Sequence, residues 1–143
     1  MHQPIRTPAV EAEQFVLRDA RGNVRAWLAI VADTAVLNFF DSDQRLRASL
    51  GVGANGTPDL RLCDTGGTPR VTMTVLPNDT PALSLSDAAG TLRANLTVTP
   101  DGHPSLMLND RYGRPRANLT VLPDGLAALG FFDMNGTLRN QIG

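Results

Sequence analysis

Apolar residues along the chain alternate with polar ones, as in Leu92, Ala94, Leu96 and Val98 with Arg93, Asn95 and Thr97 between them. A period of two puts successive side chains on opposite faces of an extended strand, so the pattern predicts half-buried β-strands and no amphipathic helix. The alternation is itself periodic. Asp19, Asp41, Asp64, Asp87, Asp110 and Asp133 lie 22 and then four times 23 residues apart. Three places after each stands a glycine in five units, Gly22, Gly67, Gly90, Gly113 and Gly136, and Gln44 in the remaining one. Six places after each stands an arginine: Arg25, Arg47, Arg70, Arg93, Arg116 and Arg139. Four and two places before it come the apolar pairs Phe15/Leu17, Leu37/Phe39, Leu60/Leu62, Leu83/Leu85, Leu106/Leu108 and Leu129/Phe131. Six units of about 23 residues thus fill residues 13–143 as one repeat domain, with residues 1–12 outside it as a flexible N-terminal tail.

Turn chemistry separates the strands. Pro123-Asp124-Gly125 and Pro100-Asp101-Gly102 combine a fixed φ with a glycine that accepts positive φ. A three-residue loop there pairs Leu119 with Leu129 and Val121 with Ala127. At the opposite turn a four-residue loop, Ala88 to Thr91, pairs Leu85 with Ala94 and Leu83 with Leu96 and sets Arg93 against Ser86. The arithmetic closes on an all-β fold: six tandem β-hairpins in a continuous antiparallel meander of about 12 strands, one face apolar. Each repeated aspartate is expected to accept backbone N–H groups at its turn. A parallel β-solenoid with 23-residue coils is the competing architecture. It would stack like charges in columns about 4.8 Å apart, whereas a meander separates them by about twice that distance.

A sheet of this size carries more apolar surface on one face than a monomer leaves in water. Closure into a barrel, folding over, or association of copies could cover it. A twelve-stranded barrel would leave a lumen that these side chains do not fill, calling for an apolar small molecule inside. Homo-oligomerisation, with three sheets around an axis, makes a dry core from the same leucines; Ala26, Ala48, Ala94 and Ala117 opposite large residues suit interdigitation. The expectation is a self-associating homotrimer. Pro4 and Pro8 in the tail are placed to cover one edge of the sheet.

Composition narrows the function classes. Thirteen basic residues, all arginine, stand against 14 acidic ones, for a net charge of -1. Such a balance gives no single-sign field for nucleic acid or an anionic membrane. The single cysteine, Cys63, excludes an internal disulfide and is read as an incidental thiol. No window of about 18 apolar residues is present for a membrane-spanning helix, and the first residues lack a signal-peptide core. The expected location is cytoplasmic, or a virion or surface assembly. No catalytic group, metal site or cofactor is expected: His2 falls in the tail, His103 falls in a turn, and Asp-x-x-Gly offers too few oxygens for calcium. The nominal sequons at Asn55, Asn95, Asn118 and Asn135 follow from the repeat itself. Two polar rows remain. The six arginines could bind anions along one surface, against the simpler reading of pairing with the aspartates. Thr74, Thr97 and Thr120 beside Asn95 and Asn118 could present hydroxyls to ice or carbohydrate, against the simpler reading of good strand residues.

The repeat Leu-x-Leu-x-Asp-x-x-Gly-x-x-Arg-x-x-Leu-x-Val, followed by Pro-Asp-Gly, runs from Leu106 to Gly125. It resembles the repeats of many uncharacterised bacterial β-hairpin proteins over about nine tenths of the chain. It is more distantly similar to the β repeats of trimeric phage fibres. The resemblance implies a structural role with no site residues to transfer. Gln44 for glycine, the shorter loop at Ala32-Asp33 and Asn140 for the usual alanine depart from the pattern.

Overall fold

The computed structural model describes residues 10–142. The strands are β1 (Gln14–Arg18), β2 (Val24–Val31), β3 (Thr34–Phe40), β4 (Leu46–Val52), β5 (Pro58–Cys63), β6 (Pro69–Val75), β7 (Pro81–Ser86), β8 (Leu92–Val98), β9 (Pro104–Asn109), β10 (Pro115–Val121), β11 (Ala127–Phe132) and β12 (Leu138–Ile142). They lie in sequence order in one 12-stranded sheet, every neighbouring pair antiparallel. Among the described strands only chain neighbours touch, so β1 and β12 stay apart and the sheet is open. This rules out both the parallel solenoid and the closed barrel with a lumen. Most of the expected tail, with His2, Pro4 and Pro8, lies outside the described residues.

Register follows the parity argument. Leu119 stands opposite Leu129 and Val121 opposite Ala127, while Leu85 faces Ala94 and Leu83 faces Leu96. Phe15, Leu17, Leu28, Leu37, Phe39 and Leu50 line the same face at the other end of the sheet, each opposite an apolar residue. Ala48 lies between Phe39 and Leu62, and Ala117 between Leu108 and Phe131, as interdigitation requires.

The four-residue loop is corrected. The Asp87 N–H donates to the Thr91 carbonyl at 2.9 Å and the Gly90 N–H to the Asp87 carbonyl at 3.0 Å, leaving three residues in the loop. Leu122, Gly125 and Leu126 repeat this arrangement at the opposite end, so both ends of the sheet use one turn type. The extra residue is taken up in the strand. Ser86 pairs with Leu92, not Arg93, and the register then shifts before Leu85 and Ala94. The same β-bulge accompanies every aspartate turn, with an arginine as the inserted residue. A three-residue loop without the bulge would have thrown the leucines to the wrong face, so the bulge restores the parity the sequence demands. Between β2 and β3 the turn has only two residues, Ala32 and Asp33, at φ 47° and 62°. Both angles are positive, the form whose twist matches the flanking strands.

A single copy has almost no core. Among the described residues the buried apolar ones are Ala29, Cys63 and Ala128, and none of them lies on the leucine face. The accessible surface is 10187 Å², against about 7,100 Å² for a compact monomer of this mass.

Candidate functional site

Two features recur in every unit: an edge of aspartate turns and a leucine face. At each turn one aspartate oxygen accepts two backbone N–H groups, from the residues two and four places on. Asp87 Oδ1 takes those of Ala89 and Thr91, both at 3.0 Å, and Asp64 Oδ1 those of Gly66 at 2.9 Å and Thr68 at 3.1 Å. Asp19, Asp41, Asp110 and Asp133 do the same. The second oxygen faces the arginine six places on: Arg93 at 3.4 Å, Arg70 at 3.5 Å, Arg25 and Arg47 at 3.6 Å, Arg116 at 2.5 Å and Arg139 at 2.6 Å.

Each arginine but the last also reaches into the following unit. Nε of Arg25, Arg47, Arg70 and Arg93 donates to the carbonyls of Phe40, Cys63, Ser86 and Asn109 at 2.7–3.2 Å, and Arg116 reaches the Asp133 carbonyl through Nη1. These carbonyls sit where the ladder runs out beside the next aspartate turn. The guanidinium therefore ties one turn to the next.

All six aspartates titrate below the ordinary value of 3.8. For Asp41, Asp64 and Asp133 the largest influence is the N–H of the residue four places on, with partial desolvation opposing it. For Asp19, Asp87 and Asp110 desolvation is the largest influence and pushes upward, but two N–H donors and the arginine together outweigh it. The aspartates are thus turn caps, and no cluster of metal-ligating side chains is found among the described residues. The arginine row is engaged in pairing, which leaves its charge matched unit by unit.

The leucine face is open to solvent. Leu28, Leu50, Leu62, Met73, Leu85, Leu96, Leu108 and Leu119 are 43–52% exposed. Leu37, Leu60, Leu83 and Leu129 beside them are half-buried, while Leu106, Phe131 and Leu17 are exposed. At its centre, Leu50, Leu60, Met73, Leu83 and Leu96 line a trough of about 420 Å³.

His103 lies in the β8–β9 turn, its N–H on the Thr99 hydroxyl at 3.1 Å. Cys63 is buried at the end of β5 and unpaired. The threonine row is partly spent internally, since the hydroxyls of Thr74 and Thr120 donate to the carbonyls of Pro58 and Pro104, each at 2.9 Å.

One region was missed from the sequence. On the polar face of β1–β3, Gln14, Arg18, Trp27, Phe40 and Gln44 surround a concavity of about 330 Å³. Its signal was a departure from the repeat: the position of Trp27, the sole tryptophan, is held in later units by Ser49, Thr72, Asn95, Asn118 and Gln141. No helix among the described residues is long and apolar enough to cross a membrane. In comparison with known proteins, no family model and no curated protein matches the chain.

Proposed function

We propose that the chain is a non-enzymatic structural repeat module whose copies associate through the leucine face into a rigid scaffold or fibre-like element, with three copies around an axis. The observation that carries this reading is the uncovered face itself. Twelve strands at about 4.8 Å and roughly 25 Å of strand length give a face on the order of 1,300 Å². A stable interface needs about 800 Å² per partner. Alternating large residues and alanines across neighbouring strands give that face the relief that packing against a second sheet requires. The likeness of the repeat to bacterial hairpin proteins and trimeric phage fibres points the same way.

Light scattering across dilution tests it. A constant mass near three times 15.3 kDa is the expected result, and a mass of 15.3 kDa at every concentration would refute self-association. A second reading is favoured by the trough, which could hold an apolar small molecule against an open sheet. A monomer that releases such a compound on solvent extraction would replace the first reading with this one. Anion binding along the arginines is the least supported reading, because each guanidinium already faces a carboxylate and, in the first five units, a carbonyl.

A further inference from the structure

We propose that the concavity at the first repeat is a binding site for a sugar ring, with preference for one that carries a carboxylate. Trp27 stands where all five later units carry a polar residue, and Val16, Val24 and Phe40 gather beside it. None of them is needed for the leucine face, since Trp27 stands opposite Val16 and Asn38, on the reverse side of the sheet. The aromatic rings are joined by polar groups held in place. Gln14 accepts the indole N–H through Oε1 at 2.9 Å, which turns its amide nitrogen away from the indole. Gln44 donates Nε2 to the Val24 carbonyl at 3.0 Å, so its oxygen remains an acceptor. Arg18 is fixed through Nη1 on the Gly22 carbonyl at 2.9 Å, which leaves the other edge of its fork for a ligand.

A half-buried tryptophan and a phenylalanine offer apolar surface to the C–H face of a pyranose, while an amide donor, an amide acceptor and a guanidinium fit its hydroxyls, which donate and accept together. About 330 Å³ accommodates one ring. Among the described residues no carboxylate lines the concavity, so the charge of Arg18 favours an anionic substituent, and its planar fork suits a carboxylate. The site lies on the face turned away from the leucines. It stays accessible whether the chain is a monomer or an assembly, and an assembly would display several copies for multivalent capture.

Trp27 is its own reporter. The intact chain is titrated with glucose, N-acetylglucosamine and glucuronate into the millimolar range, following Trp27 fluorescence. The expected result is a saturable change, with glucuronate binding about tenfold more tightly than glucose, and that preference lost in Arg18→Gln. Ligand-observed NMR on Trp27→Ser, which installs the residue found at the same place in the second unit, should show binding weakened at least tenfold. The variant's circular dichroism checks that its sheet is intact. Fluorescence unchanged by all three sugars would overturn the proposal, as would equal binding to a folded Trp27→Ser.

Discussion

Among the described residues, four other than glycine adopt the left-handed backbone, Ala32, Asp33, Gln44 and Asp79, and Ala32, Gln44 and Asp79 supply a graded test of how the turns are held. Ala32, Gln44 and Asp79 have φ of 47°, 63° and 62°, whereas the glycines of the other turns lie at 74–85°. For an L-residue this region costs about 1–2 kcal/mol. Glycine avoids that cost but loses more chain entropy on folding, about 0.5–1 kcal/mol. Ala32→Gly should therefore stabilise by roughly 0.5–1 kcal/mol, since the Ala32 side chain makes no hydrogen bond. Asp79→Gly should gain less, because a short polar side chain tolerates this conformation better. Gln44→Gly should come out near zero: the conformational gain is offset by loss of the 3.0 Å bond to the Val24 carbonyl, worth about 1 kcal/mol. The converse is Gly125→Ala, where an added Cβ would meet nothing within 4 Å. Its cost is conformational alone, about 1 kcal/mol. Urea unfolding at one fixed protein concentration reads these differences, a kcal/mol moving the midpoint by about 0.5 M when the slope is near 2 kcal/mol/M. The reasoning fails if Ala32→Gly destabilises, if the three glycine variants shift equally, or if Gly125→Ala is silent with unchanged slope.

Three further predictions address the edge and the face. The folded-state pKa of all six turn aspartates is depressed, so their contribution to stability is complete above the ordinary value of 3.8 and is lost as pH falls through the lower folded values; urea midpoints should hold from neutral to about pH 4 and then drop steeply. Arg93→Lys keeps the charge but loses the fork that joins Asp87 to the Asn109 carbonyl. Amide exchange at the Asp87 turn and the end of β9 should quicken a few-fold, with β1–β4 unchanged. Leu96→Glu puts a carboxylate in the middle of the face proposed to associate, and should weaken self-association by roughly a thousandfold. Ser84→Glu, on the opposite face, should leave the light-scattering mass unchanged.

Most of the architecture was readable because the side-chain parity of a strand is unforgiving. Leu119 against Leu129 follows once the loop at Pro123-Asp124-Gly125 is recognised, and the 23-residue spacing then carries it along the sheet. Arg93 shows where that reading runs short. Parity demanded one extra residue near the aspartate turn, but loop and bulge satisfy parity equally, and only the backbone bonds of Asp87 to Thr91 distinguish them. The bulge in turn frees the arginine to span two units, a contact 16 residues away that no local pattern encodes. Trp27 was legible only as an exception. A repeat fixes attention on what recurs, whereas Gln14, Trp27 and Gln44 of this concavity occur at their places in one unit only.

Contacts confined to chain neighbours make this sheet a one-dimensional object. No strand closes a long loop, so unfolding has no need to be all-or-none and can unzip from either margin, one hairpin at a time. For the same reason the number of hairpins sets a length. Removing one interior 23-residue unit would bring its two neighbours into the register they already use, shortening the sheet by about 9.6 Å, the width of two strands. The molecule is in that sense a ruler whose gradations are written in its gene copy by copy, and duplication or loss of a unit changes its reach without redesigning any interface.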